Sequence, residues 1–132
     1  CRLSSIVRGS ADDFDILFGT RDPEEIYRKH ISPFCPILIC TAGAGHIFIC
    51  TPKGTYDFIV PQIPANEIVS TVGAGDSFNA GFLCAMHRQS ICKADLADMS
   101  HDQWKLLVEH GIKYSSQVCR SQDNYIKPLS DK

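Results

Sequence analysis

Gly73-Ala74-Gly75-Asp76 places two glycines before an acid, and the acid at the head of an amphipathic segment that runs on through Ser77-Phe78-Asn79-Ala80-Gly81-Phe82. Glycine lets a backbone turn sharply and leaves no side chain between its amides and a ligand. The apolar residues Phe78, Phe82, Ala85 and Met86 recur at helical spacing, which predicts a helix starting near Asp76 or Ser77. The first amides of a helix lack intrahelical partners, and the helix dipole adds about half a positive charge at that end. Such a turn suits an anion, above all a phosphate. A carboxylate at Asp76 is then placed to take a proton from a hydroxyl attacking that phosphate, which is what phosphoryl transfer to an alcohol requires. Asp is also a common helix cap, and the loop alone leaves both roles open.

Two other glycine-loop chemistries fail on spacing. A dinucleotide fingerprint needs a third glycine where Phe78 stands, and a Walker-type loop needs Gly-Lys-Ser/Thr, which the sequence lacks.

The run from Thr71 to Phe82 resembles the second signature of the ribokinase-like (pfkB-type) carbohydrate kinases, DTxGAGDxFxAGF. The resemblance implies that Asp76 is the catalytic base and that the amides of Gly73, Ala74 and Gly75 form the anion hole. It further implies ATP and Mg2+ as cofactors and a sugar or nucleoside as the phosphate acceptor, through a primary or anomeric hydroxyl. The chain departs from the pattern at Ser70, where the family usually has an Asp that in several members helps to bind a monovalent cation. That substitution leaves the cation doubtful.

The remaining elements must position this loop. Ser5 to Arg8 reads as a short buried strand, followed by Ser10-Ala11-Asp12-Asp13 as a helix start. In the family this strand end carries Asn/Ser-x-x-Glu, so the resemblance implies that Ser10 contacts ATP and that Asp13 acts on Mg2+ through water. A plain capping box explains the same pair. Asp22-Pro23-Glu24-Glu25 starts a second helix running to about Ile31, where the Ser32-Pro33 and Cys35-Pro36 steps stop it. Ile37-Leu38-Ile39-Cys40 suits a buried parallel strand; Ile47 to Cys50 and Tyr56 to Val60 add two more around a Pro52-Lys53-Gly54 turn.

Between the first two of these strands, Thr41-Ala42-Gly43-Ala44-Gly45-His46 resembles the family's nucleotide-contacting TLGxxG segment. By that resemblance Thr41, Gly43 and Gly45 contact ATP, as Gly75 does from the later loop. His46 stands where the second glycine belongs; it reads either as an ordinary loop histidine or as a ring stacking near the nucleotide. Ser100-x-x-Gln103 opens a last long helix whose Trp104, Leu107, Val108, Gly111, Ile112 and Ser115 share one face, with Trp104 read as core. This helix does not match the family's adenine-contacting helix, so no adenine contact is carried over.

The 132 residues carry a net charge of -2 and 44% hydrophobic content, the balance of a globular domain able to bury a core. No apolar run nears the ~20 residues of a membrane span, and no basic stripe suits nucleic acid. Seven cysteines without a Cys-x-x-Cys spacing fit reduced thiols in a cytoplasmic protein rather than disulfides or a structural metal.

The resulting expectation is an α/β fold, ribokinase-like, with a mostly parallel, Rossmann-like sheet flanked by helices and one β-hairpin. The chain opens without Met, and family members are more than twice its length. Residues 1–132 are therefore read as the C-terminal nucleotide-binding and catalytic part of a larger kinase domain whose sugar-binding part is absent. In many members the lid strands of that absent part form a homodimer contact. The alternative is a non-catalytic nucleotide-binding or regulatory relative.

Overall fold

The computed structural model describes residues 3–42, 45–123, 125 and 126. They fall into two units, Cys1–Gln62 with Cys92–His101, and Ile63–Ile91 with Asp102–Lys132.

The first unit is built on a four-stranded sheet in the order β1 (Ile6–Ser10), β2 (Ile37–Ala42), β3 (His46–Thr51) and β4 (Gly54–Ile59). β1 and β2 are parallel, whereas β2–β3 and β3–β4 are antiparallel. The α/β class is as expected, but the mostly parallel sheet is not what this chain builds. Connection length is the reason, since a parallel neighbour needs a crossover of a dozen or more residues. Only the β1–β2 link, which carries helices, is that long; the links after β2 and β3 allow hairpins alone.

Helix α1 (Ala11–Phe18) follows β1 directly. The Ser10 hydroxyl accepts from the Asp13 amide at 3.0 Å, and the Asp13 carboxylate accepts from the Ser10 amide at 3.1 Å, a reciprocal capping box. Helix α2 (Pro23–Ile26) is capped by Asp22 and has Pro at its first position. The expected helix does reach Ile31, but Tyr27–Ile31 is wound as a π-helix that ends where the Ser32 amide donates to the Tyr27 carbonyl at 2.7 Å. One face of the sheet contributes Leu38, Cys40 and Cys50 to a core with Ala11, Phe14, Ile26, Ile31 and Cys35. Burial on this scale, about 25 cal/mol per Å² of apolar surface, holds the helices against the strands.

The second unit pairs α3 (Ala74–Arg88) with α4 (His101–Cys119) from Asp102 onward. Phe78, Gly81, Phe82 and Ala85 are buried along α3, and Trp104, Leu107, Val108 and Gly111 along α4. Both sets follow the i, i+3, i+4, i+7 stripe of a helix with one apolar face. The α3 helix starts at Ala74, earlier than the Asp76 or Ser77 expected, because Gly73 adopts φ 78° and ψ 0° and turns the chain straight into it. No described helix is long and apolar enough to cross a membrane.

Candidate active site

In the second unit the segment before α3 is pinned by its own backbone. The Val69 and Ser70 amides both donate to the Cys119 carbonyl at the end of α4, at 2.8 and 3.3 Å. The Ser70 hydroxyl accepts from the Val72 amide at 3.2 Å, and the Thr71 carbonyl accepts from the Ala74 amide at 3.2 Å. Local turns of this kind are what Ser and Gly favour in place of regular structure.

The early start of α3 fixes what Asp76 can be. Gly73 is the N-cap and Asp76 the third helical residue, so Asp76 is not the cap that the sequence left open. Its side chain is exposed and has no hydrogen bond or ion pair among the described residues. The amides of Gly73, Gly75 and Asp76 likewise have no acceptor among the described residues, whereas that of Ala74 is given to Thr71 and that of Ser77 to the Gly73 carbonyl at 2.9 Å. A positive helix end, open donors and a free carboxylate therefore lie within one turn. Such a turn can hold an anion and accept a proton beside it.

In the first unit Ser10 and Thr41 are register partners at the carboxyl ends of the parallel pair β1 and β2. Ligands of α/β sheets commonly sit at that end. Thr41 Oγ1 accepts from Arg8 Nη2 and donates to the Gly9 carbonyl, both at 3.4 Å. Asp13 is exposed; hydrogen bonding by the Ser10 side chain, then by its amide, holds the Asp13 carboxyl below the usual carboxylate range. Gly45 closes the β2–β3 hairpin, its carbonyl accepting from the Val60 amide at 2.9 Å. Gly43 lies outside the described residues. One sheet end thus gathers Ser10, Asp13, Thr41 and Gly45, while Gly73, Ala74, Gly75 and Asp76 belong to the other unit.

Sequence reasoning passed over two neighbours of these groups. Arg8 alternates with Ser10 along β1, so the period of a strand alone puts the two side chains on one face. Asp57, whose carboxylate meets His46 Nδ1 at 2.8 Å, is visible only once β3 and β4 are in register. Among the described residues no group of three or more His, Cys, Asp and Glu side chains could hold a metal ion by itself. Asp13 offers a single ionised carboxylate, a hard oxygen donor that suits Mg2+ arriving with other ligands.

Comparison with known proteins points to one family. A family model described as pfkB family carbohydrate kinase matches residues 1–120. An ATP-dependent 6-phosphofructokinase of Thermoanaerobacterium thermosaccharolyticum is 30% identical over 91 residues, 69% of this chain and 27% of that relative. The crystal structure of aminoimidazole riboside kinase from Salmonella enterica, complexed with aminoimidazole riboside and an ATP analog, superposes with TM-score 0.72. It is 22% identical, and the match covers 92% of this chain and 38% of that one. A fructokinase double mutant from Vibrio cholerae, in a form binding fructose, ADP and potassium ion, gives TM-score 0.71 at 21% identity, covering 92% of this chain and 36% of that one. The chain thus spans roughly a quarter of the curated relative and under two fifths of the solved structures.

Proposed function

The chain belongs to the pfkB family of carbohydrate kinases, and from that premise we propose that the whole protein transfers a phosphoryl group from ATP to a hydroxyl of a sugar or sugar-like substrate. The observation that carries this reading is the first turn of α3, where the free carboxylate of Asp76 follows open backbone amides.

In this mechanism Asp76 accepts the proton of the substrate hydroxyl as its oxygen forms a bond to the γ-phosphorus. The bond from that phosphorus to the β,γ-bridging oxygen breaks, and ADP leaves. Backbone amides of the Gly73-Ala74-Gly75 turn, with Ala74 first giving up its 3.2 Å bond to Thr71, hold the charge on the transferring group. The Gly73 and Gly75 amides, open and fixed in place before the reaction, need no such rearrangement. Ser10, Thr41, Gly43, Gly45 and Gly75 bind the nucleotide. Asp13 would hold Mg2+ through water, and the ion would supply positive charge against the phosphates. Ser70 is a poor fit for a monovalent cation: its hydroxyl carries no charge, and its oxygen is already engaged by the Val72 amide. A cytoplasmic location with reduced thiols belongs to the same reading.

The test uses the full-length protein with ATP and Mg2+ and a panel of sugars, sugar phosphates and nucleosides, with products followed by phosphorus NMR. Formation of ADP together with a phosphomonoester is expected. ATP binding without phosphorylation of any acceptor would favour the non-catalytic relative, a reading that the Ser70 departure supports. Failure to bind ATP at all would overturn both.

A further inference from the structure

Arg8 and Ser10 lie on one face of β1, and Thr41, the register partner of Ser10, lies on the same face from β2. Val7 and Gly9 take the other face, where Val7 packs on the core and the Phe14 ring leaves no room for a Cβ on Gly9. Arg8 itself pairs with Ile39, yet its Nη2 donates to Thr41 Oγ1, two residues farther along β2. Strands rise about 3.3 Å per residue, so the guanidinium leans ~7 Å along the sheet toward the carboxyl ends of β1 and β2. Arg8 is half-buried and acts on Asp13: hydrogen bonds from Ser10 chiefly hold the Asp13 carboxyl low, and the Arg8 charge adds to them.

A guanidinium keeps its charge in proteins and presents its N–H donors in a planar fork that matches two oxygens of a phosphate. At 3.4 Å the bond to Thr41 is long for N–H···O, and its acceptor is neutral. A phosphate oxygen, being charged, is the stronger acceptor and can take that donor. The position also answers a charge problem. Asp12 and Asp13 in the first turn of α1 repel a polyphosphate, and a fixed cation on the Ser10–Thr41 face offsets them.

We propose that Arg8 is a phosphate-binding residue of the nucleotide site, its guanidinium leaving Thr41 to donate two N–H bonds to the terminal phosphates of ATP. The proposal rests on the kinase reading above. The family's Asn/Ser-x-x-Glu pattern begins at Ser10, so the contact lies outside that signature and belongs to the residues of this chain. Thr41 holds the guanidinium in place before the nucleotide arrives, which reduces the side-chain freedom lost on binding.

The experiment is calorimetric titration of the full-length protein with ATP and with AMP in the presence of Mg2+, for wild type, Arg8→Gln and Arg8→Lys, with a thermal melt of each. Loss of a charge-assisted, paired contact predicts that Arg8→Gln weakens ATP by about tenfold or more and leaves AMP, which lacks the terminal phosphates, within about twofold. Arg8→Lys keeps the charge but not the fork. It should bind ATP about threefold or more weakly than wild type, yet more tightly than Arg8→Gln does. ATP affinity unchanged in a folded Arg8→Gln, or ATP and AMP weakened alike, overturns the proposal while the kinase reading stands. If Arg8→Gln fails to fold, Arg8→Lys decides alone, and ATP affinity equal to wild type overturns the paired contact. Wild type that binds no ATP sinks the kinase reading, and with it this one.

Discussion

Gly81 of α3 lies so close to His110 of α4 that a Cβ built on the glycine would stand 2.5 Å from the His110 carbonyl oxygen, and 2.9 Å from the ring of Tyr114. Backbone oxygen cannot move aside as a side-chain tip can. Replacing glycine by alanine inside a helix gains about 1 kcal/mol in propensity, but forcing a methyl group into a packed contact costs about 1–3 kcal/mol. Gly81→Ala is therefore expected to destabilise the protein, read as a lower denaturant midpoint with an unchanged slope. A midpoint at or above wild type would show that the helices separate freely. The glycine of the Ala-Gly-Phe stretch thus has a packing reason of its own, distinct from the chemistry of Gly73 and Gly75.

What could be read from the sequence was whatever is local. The Ser10–Asp13 box needs only residues three apart, and the buried stripe of Phe78, Phe82 and Ala85 needs only the helical period. The sequence places the start of α3 too late because Asp is a stronger cap signal than Gly, and nothing in the sequence announces the left-handed backbone of Gly73. The short connections after β2 and β3 require antiparallel pairing, which is why this part of the sheet departs from the mostly parallel arrangement that the resemblance implies. Of the candidate site, the residue types and their motifs were legible. The pairing of Ser10 with Thr41, and of His46 with Asp57, depends on strand register, which is a tertiary property.

Ser70 leads to a prediction about ions. A neutral hydroxyl whose oxygen accepts from Val72, in a loop tied to the Cys119 carbonyl, leaves the turn ordered by the protein's own groups. Initial rates of the full-length enzyme in potassium chloride should equal those in tetramethylammonium chloride at matched ionic strength. Ser70→Asp should introduce a dependence on potassium. Marked stimulation of the wild type by potassium would contradict this account of the loop.

The Asp13 carboxyl is held below its usual range by Ser10, so its folded form binds a proton less readily than the unfolded chain does. Stability from the capping box is then complete above the ordinary carboxylate value near pH ~4, and is lost as pH falls through the lower folded value. Asp13→Asn should be less stable than wild type at neutral pH, and the gap should narrow on acidification below ~4. Melting curves without nucleotide across that range decide it; a gap independent of pH would mean that the carboxylate charge plays no part in the cap.

Burial pushes the Cys40 and Cys50 thiols up to about 11, whereas Cys92 is exposed. Thiolate is the reactive form, and at neutral pH the two core thiols are almost entirely protonated as well as shielded. Brief treatment of the native protein with iodoacetamide should modify Cys92 and spare Cys40 and Cys50 until denaturant is added. Peptide mass spectrometry reads each site separately. Equal labelling of all three in the native protein would refute the buried core drawn here for β2 and β3.

Asp76 carries the last prediction. Its carboxylate has no partner among the described residues and stands on the third residue of α3, so Asp76→Asn removes a charge without breaking a bond that the fold uses. A negative charge in the first turn is favoured by the helix dipole by roughly 0.3–1 kcal/mol, which bounds the stability change to a small one. Removing a general base costs about a hundredfold or more in rate. Asp76→Asn should therefore lower kcat of the full-length enzyme by about that factor while its melting temperature and ATP affinity stay close to wild type. A variant that keeps wild-type kcat would take Asp76 out of the mechanism. If kcat and ATP affinity fell together, its role would lie in holding the nucleotide instead.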